Sequence, residues 1–414
     1  MRFEKAYALA IVLLFVLAYA PNVSADDEVE LHILSVENFL WLSVYEDTSS
    51  VNVSFVFPLE YGFQVPLLLE VLDDSTAEIE SYDIVDDVDR INKLACFHVV
   101  NLSKGERVLI HFEAFVFVKG SDFDDVPSDV AFPSESELPV EVTSWLQHSP
   151  VVQLNNPLLS FRARLLRLKS SDDVLSFAKE VSSFIYSHRR LLFILQYELD
   201  VFFAQDAVST LLLGGENVGR SHLASALFRN NGIPSRSVLA LPDQGFWTQM
   251  HYMNEYYVPG YGWVLIDGTN CSTPYPSYRQ VLLRLCSIED EYDTKVDYIF
   301  SLMSGEERWV WLDSENVAPY YLDCSYGSSR SQMFSKNVLV RSQSDVEEMF
   351  NLSSNVFGMY EELLGRDLNA AQYAFFDSGL AYMQLGLSAL IEDDDVALFL
   401  LYWHSADLMF DLIL

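Results

Sequence analysis

Three residue types able to do chemistry stand in order through the middle of the sequence: Ser221, His251 and Asp267. Ser221 lies in Gly219-Arg220-Ser221-His222-Leu223-Ala224-Ser225-Ala226-Leu227, where Leu223, Ala226 and Leu227 share one helical face. Gly214, Gly215 and Gly219 read as a flexible approach, so the helix is expected to start near Ser221. Gly232 fits a left-handed cap and Pro234 stops the helix. A hydroxyl at a helix start sits beside unpaired N–H groups and a partial positive charge, a place that favours an oxyanion. His251 opens a strand-like run and Asp267 closes the next one, with Pro259-Gly260-Tyr261-Gly262 as the turn between them. Folding that hairpin brings imidazole and carboxylate together. The carboxylate can then accept from one ring nitrogen and leave the other as a base. Each residue also has a plainer use: Ser221 as a cap, His251 as a bonded structural histidine, Asp267 as a turn residue before Gly268. The ordered set carries the chemical reading. His222 and Ser225 read as packing or surface, Arg236 as the partner of a carboxylate, and Gln196 and Gln205 as guesses for an oxyanion donor.

Together these elements resemble the transglutaminase-like superfamily. The family pattern is Gly-x-Cys on a helix, then Gly-Ile-Pro-x-Arg, then His-x-x-x-Glu, then Gly-Trp-Val with a closing Asp. In this sequence it reads Gly219-Arg220-Ser221, Gly232-Ile233-Pro234-Ser235-Arg236, His251 to Glu255, and Gly262-Trp263-Val264 to Asp267. The resemblance spans about 150–290. It implies a papain-like α+β core and a Cys-His-Asp triad in which His251 is the base and Asp267 orients it. The β-rich front region also looks like that of secreted prokaryotic relatives. The departure is Ser221, which stands where the resemblance places Cys. Cys96, Cys271, Cys286 and Cys324 all lie elsewhere, and Cys271 is the nearest. A thiolate is a strong nucleophile once paired with imidazolium, whereas a hydroxyl needs its proton removed during attack. The favoured reading is therefore a non-catalytic domain that binds a protein or peptide. The alternative is a Ser-His-Asp acyltransferase or amide hydrolase using Ser221, and a third reading is a purely structural module.

The elements that must position these residues divide the chain. Residues 1–25 read as a signal peptide: Arg2 and Lys5, an apolar run over 6–20, then Val23-Ser24-Ala25. An uncleaved anchor is the other reading of that run. Residues 26–119 alternate β-branched and aromatic runs with turns, the pattern of a β-sandwich. Residues 120–140 are acidic and broken by Pro127, Pro133 and Pro139, a solvated linker. Residues 141–330 hold the core, with helical periodicity from 157 to 230 and Ser171 or Asp172 as a cap. Residues 331–414 read as a helical region split at the acidic run 392–395, its last segment part of a packed hairpin rather than a membrane span.

The chain has 414 residues, with 25 Lys plus Arg against 60 Asp plus Glu, a formal net charge of −35. Such a surface repels phosphate backbones, so no nucleic-acid partner is expected. Partners are expected to be proteins or peptides, with a membrane touched only through an uncleaved signal. Export places the protein outside the cytoplasm, at the cell surface or secreted. There the four cysteines can pair in three ways, and Asn52, Asn101, Asn270 and Asn351 head glycosylation triplets. Neither metal spacing nor a phosphate loop is visible, and no cofactor is expected. Arg162, Arg164, Arg167 and Lys169 form a basic cluster that reads as charge balance rather than a ligand site.

Overall fold

A computed structural model describes residues 29–44, 47–87, 91–120, 123, 125–188, 205–242, 251–292, 310–312, 320–322, 330–340 and 343–414. Residues 1–25, read from the sequence as a signal peptide, Gln196 and Cys324 lie outside the described residues. The front region contributes β1 (Val29–Val44), β2 (Thr48–Phe57), β3 (Gln64–Val71), β4 (Glu78–Asp86), β5 (Lys93–Leu102) and β6 (Arg107–Lys119). β1, β6 and β3 pair antiparallel in one sheet, and β2, β5 and β4 in a second. Alternation along β2 buries Val51, Val53 and Phe55. The sheets meet face to face. Phe112 of β6 packs against Phe55 of β2 and Phe97 of β5, at ring separations of 5.6 and 5.0 Å.

The core follows. Helix α1 (Pro157–Arg167) has Asn156 as its cap and Pro at its first position. Helix α2 (Val174–Ser187) starts at Asp173, whose carboxylate accepts from the Ser176 N–H at 2.7 Å, so the cap is one or two residues beyond Ser171 and Asp172. Helix α3 (Ala207–Leu213) is capped by Asp206, and α4 is Asn217–Arg229. Strands β7 (Ser235–Pro242), β8 (His251–Val258), β9 (Gly262–Ile266) and β10 (Gln280–Leu285) form an antiparallel sheet in the order β10-β7-β8-β9. Helix α4 is buried almost all round. Phe228 stacks on Tyr256 of β8 at 5.0 Å and meets Phe177 of α2 edge-on at 5.6 Å. Burying such a ring contributes about 1.5–3 kcal/mol, which fixes α4 against the sheet. Gly232 takes the left-handed conformation with φ 76° and ends the helix.

Three boundaries differ from the sequence reading. Strands β11 (Val310–Leu312), β12 (Tyr320–Leu322) and β13 (Arg330–Val340) return to the front region. β13 pairs with β1 from Val29↔Val340 to Phe39↔Arg330, β12 pairs with β1 further on, and β11 pairs with β2. The sandwich is thus completed by chain from beyond the core, and 330–340 is strand rather than helix. The helical region begins after it, with α5 (Gln343–Leu363), α6 (Ala370–Asp393) and α7 (Val396–Asp411). The split at the acidic run stands as read: Asp394 is left-handed at φ 54°, and Asp395 caps α7. Helix α6 is long and apolar enough to cross a membrane by length and composition. It packs on α7 through close approach at Gly379 and Gly386, where an added Cβ would strike Phe410 and Trp403. The helices rest on the front sheet: Phe399 meets Phe117 at 5.4 Å, and the Tyr360 hydroxyl donates to the Leu69 carbonyl at 3.0 Å.

The segment 120–140 is no solvated linker. Phe123, Val126 and Leu138 are buried. Val174 N–H donates to the Val130 carbonyl at 2.9 Å, and the Tyr261 hydroxyl to Asp125 at 2.8 Å. Two buried amides complete the junction of front region and core. Gln64 accepts from Leu282 N–H and donates to the Leu282 carbonyl, and Asn92 does the same at Leu285. Each amide gives the open edge of β10 the pairing a further strand would supply.

Candidate functional site

Helix α4 decides the site. Glu216 N–H donates to the Gln205 side-chain oxygen at 2.8 Å, and the helix runs from Asn217 onward. Gly219 is inside it. A Cβ there would come within 2.4 Å of Thr210 Oγ1 and 2.6 Å of Gln205 Oε1. This glycine serves close packing on α3, not flexibility. Ser221 therefore falls in the second turn, away from the helix start. It is buried, with Oγ 2.6 Å from Ser237 Oγ and 3.1 Å from the Met253 carbonyl. No hydrogen bond joins it to His251. The expected nucleophile is instead a polar contact between helix and sheet, displaced from the helix start by one turn.

The residue that faces the imidazole is Asn217. Its Nδ2 lies 3.3 Å from His251 Nδ1. An amide NH₂ can only donate, so Nδ1 is the accepting nitrogen and the ring proton sits on Nε2. Nε2 lies 3.2 Å from Asp267 Oδ1 and 3.1 Å from Thr269 Oγ1. The hairpin thus joins His251 and Asp267 as the spacing predicts: Asn254 stands opposite Ile266, which brings the two ends together. Asp267 also holds the following loop. It accepts from the Thr269 N–H at 2.8 Å, the Thr269 hydroxyl at 2.6 Å and the Asn270 amide at 2.5 Å. Burial pushes its carboxyl up, but the hydrogen bond and charge of His251 together with the two Thr269 donors outweigh that and hold it below the usual value.

The comparisons bear on these residues. The family model of the transglutaminase-like superfamily matches residues 171–268. Residues 171–268 are a transglutaminase-like domain. A crystal structure from Cytophaga hutchinsonii, described as that of a candidate cysteine protease, aligns with 77% of this chain and 93% of its own at 15% identity and a TM-score of 0.48. No curated protein matches the chain.

In this transglutaminase-like domain the contact of His251 with Asp267 has the geometry that an imidazole base and an orienting carboxylate require. What stands before the base is a carboxamide, whose nitrogen lone pair is delocalised and attacks nothing. Asn217 and Thr269 were not singled out by sequence, and Asn270 only as the head of a glycosylation triplet. A signal for Asn217 does exist: Gly215-Glu216-Asn217 repeats the Gly-x-x frame of Gly219-Arg220-Ser221 one turn earlier.

The neighbouring candidates have other tasks. Gln205, besides holding the Glu216 N–H, accepts through its carbonyl from His222 Nδ1 at 2.8 Å. His222 is fully buried, which pushes its pKa down and keeps it neutral. Ser225 accepts from the Asn254 amide at 2.9 Å. Arg236 does pair with a carboxylate: its Nε and Nη2 both reach Glu255 Oε2 at 2.8 Å. The Tyr61 hydroxyl donates to Glu255 Oε1 at 2.8 Å, and the Arg236 guanidinium lies 4.1 Å from the Trp263 ring centre. Burial and the Glu255 charge push the Tyr61 phenol well up, so it stays a donor. Cys96 and Cys271 carry free thiols.

Proposed function

We propose that the transglutaminase-like domain is a non-catalytic module that binds a protein or peptide segment in its retained cleft, outside the cytoplasm. The observation that carries this reading is the 3.3 Å contact between Asn217 Nδ2 and His251 Nδ1. It leaves the base facing a group that is no nucleophile, and the burial of Ser221 gives the base no substitute. An amide beside a partly exposed imidazole still offers a donor and a titratable ring to a peptide backbone. The apolar run at 6–20 and Val23-Ser24-Ala25 support export.

The test is activity-based labelling. The native chain should show no turnover of amide or ester substrates, and a serine-directed probe should leave Ser221 unlabelled. Asn217→Cys should create a thiol that alkylates faster than Cys271, and His251→Ala in that background should remove the advantage. Turnover by the native chain that Ser221→Ala abolishes would overturn the reading.

A further inference from the structure

Helix α1 carries a charge anomaly that its own surroundings do not neutralise. Of the basic cluster read from the sequence, the Arg162 guanidinium lies over Phe184 at 4.6 Å, and that of Arg167 over Phe132 at 3.9 Å. Arg167 also pairs with Asp172 at 3.1 Å. Asp173 is committed to capping α2. Among the described residues, no carboxylate pairs with Arg164 or Lys169. Charge balance thus accounts for Arg167 alone, in a chain of net charge −35.

Helix capping does not account for the rest. The carbonyls at the end of α1 are already served: Arg164 by Leu168 N–H, Leu166 by Lys169 N–H, and Arg167 by the Ser170 hydroxyl. At the end of α4, the Asn230 and Asn231 amides serve the Ala226 and Leu227 carbonyls. Between these two helix ends lies an open pocket of about 680 Å³, whose lining includes Arg164, Arg167, Leu168, Asn230, Asn231 and one carboxylate, Asp172, which Arg167 engages. Beside it, Leu158, Phe161 and Leu168 are 49%, 63% and 74% exposed. By helical spacing they share a face with Arg164. Cations and bare apolar side chains are therefore presented together.

We propose that this pocket docks a short acidic segment of another protein, with a carboxylate on Arg164 in the lining, a second on the exposed Lys169 next in sequence to Leu168, and an apolar side chain on Leu168 and the neighbouring Phe161. The exposed apolar residues favour a peptide over a bare anion. The overall negative charge disfavours a long polyphosphate, because repulsion grows with each phosphate. For a short segment, screening over about 8 Å at physiological salt leaves the local cations dominant. The pocket lies at the far end of α4 from Asn217. The helix has 13 residues, a length of about 20 Å, so this site stands apart from the cleft and from the reading of that cleft.

The test measures anisotropy of a fluorescein-labelled peptide of Asp, Glu, Leu and Phe with the full chain. Binding is expected, weakening as salt rises. The double variant Arg164→Glu, Lys169→Glu should weaken it at least about tenfold, and Phe161→Ser should weaken it less. Circular dichroism should stay unchanged, since these side chains are exposed. The proposal is overturned if the acidic peptide does not bind, if the double variant binds it equally, or if a Lys-for-acid control peptide binds as well. Displacement by inorganic phosphate or duplex DNA at matching concentration would also overturn it, by showing a general anion site.

Discussion

Two polar clusters share strand β8 and are built differently. Around Glu255 the cluster is closed: Arg236, Glu255 and Tyr61 bond at 2.8–3.0 Å, with Trp263 stacked against the guanidinium. Around His251 it is open: contacts to Asp267 and Asn217 run at 3.2 and 3.3 Å, and the imidazole is 12% exposed. The closed cluster ties the front region to the core, because Tyr61 comes from one and Arg236 from the other. The open one ends on an amide at the start of α4. Asp267 gives the open cluster a structural use of its own. Its carboxylate holds the 269–270 backbone and side chains, so the loop needs it whether or not His251 acts as a base.

The sharpest way to break this contrast is to remove one partner of each cluster. Glu255→Ala leaves the Arg236 charge buried and unpaired, and should cost about 3–5 kcal/mol. His251→Ala should cost under about 1 kcal/mol, because the ring is partly exposed and its bonds are long. Urea denaturation of both variants checks this, and equal costs would erase the distinction between the clusters.

Asp267→Asn comes next, at about 1–3 kcal/mol near neutral pH. Its carboxyl is held below its ordinary value in the folded chain, so the folded state favours the ionised form. That stability is present in full above about pH 4 and is lost as pH falls through the folded value. Melting temperature followed from pH 7 to pH 2 should therefore fall less steeply at the acid end in the variant than in the native chain.

The two clusters also differ in how far they can be read from sequence. The hairpin is legible because Pro259-Gly260-Tyr261-Gly262 separates two strand runs, and its register then dictates that His251 and Asp267 meet. The pairing of Arg236 with a carboxylate is legible from an Arg inside an apolar strand run, although its partner and Tyr61 are not. The frame of α4 is not legible. Gly219 has the same local signature whether it loosens a loop or lets α3 approach, and only the second is true here. That one ambiguity moves the helix start by a turn and exchanges Ser221 for Asn217. The return of β13 to β1 is hidden for a different reason. Pairing across some three hundred residues of chain leaves no trace in local periodicity. Phe123 and Val126 were masked by the acidic, Pro-broken stretch around them, whose polarity describes its outer side only.

Glu113 in the front sheet sharpens the contrast with Asp267 by reversing its sign. Burial pushes Glu113 up, and Glu37 and Glu70, which stand directly opposite on β1 and β3, push it further, against relief from Ser35 and His111. Its folded state favours the protonated form. The penalty for ionising it is absent below about pH 4 and appears as pH rises through the ordinary and then the folded value. Glu113→Gln should thus raise the melting temperature at pH 7 and leave it unchanged at pH 3. The same scan on Asp267→Asn should give the opposite pattern.

The smallest effect on stability is expected at the residue on which the proposed function rests. Asn217 is partly exposed, caps nothing, and makes one long contact to His251. Asn217→Ala should change stability by less than about 0.5 kcal/mol, in line with surface positions away from packed features. It should still change the imidazole. Without the donor at Nδ1, the His251 ring loses its one contact with α4, and the NMR chemical shifts of its ring nuclei should move. A large loss of stability would mean that Asn217 is an anchor of the helix start. Unchanged ring shifts would mean that the amide does not engage the imidazole, and the open cluster would then lack the contact that distinguishes it.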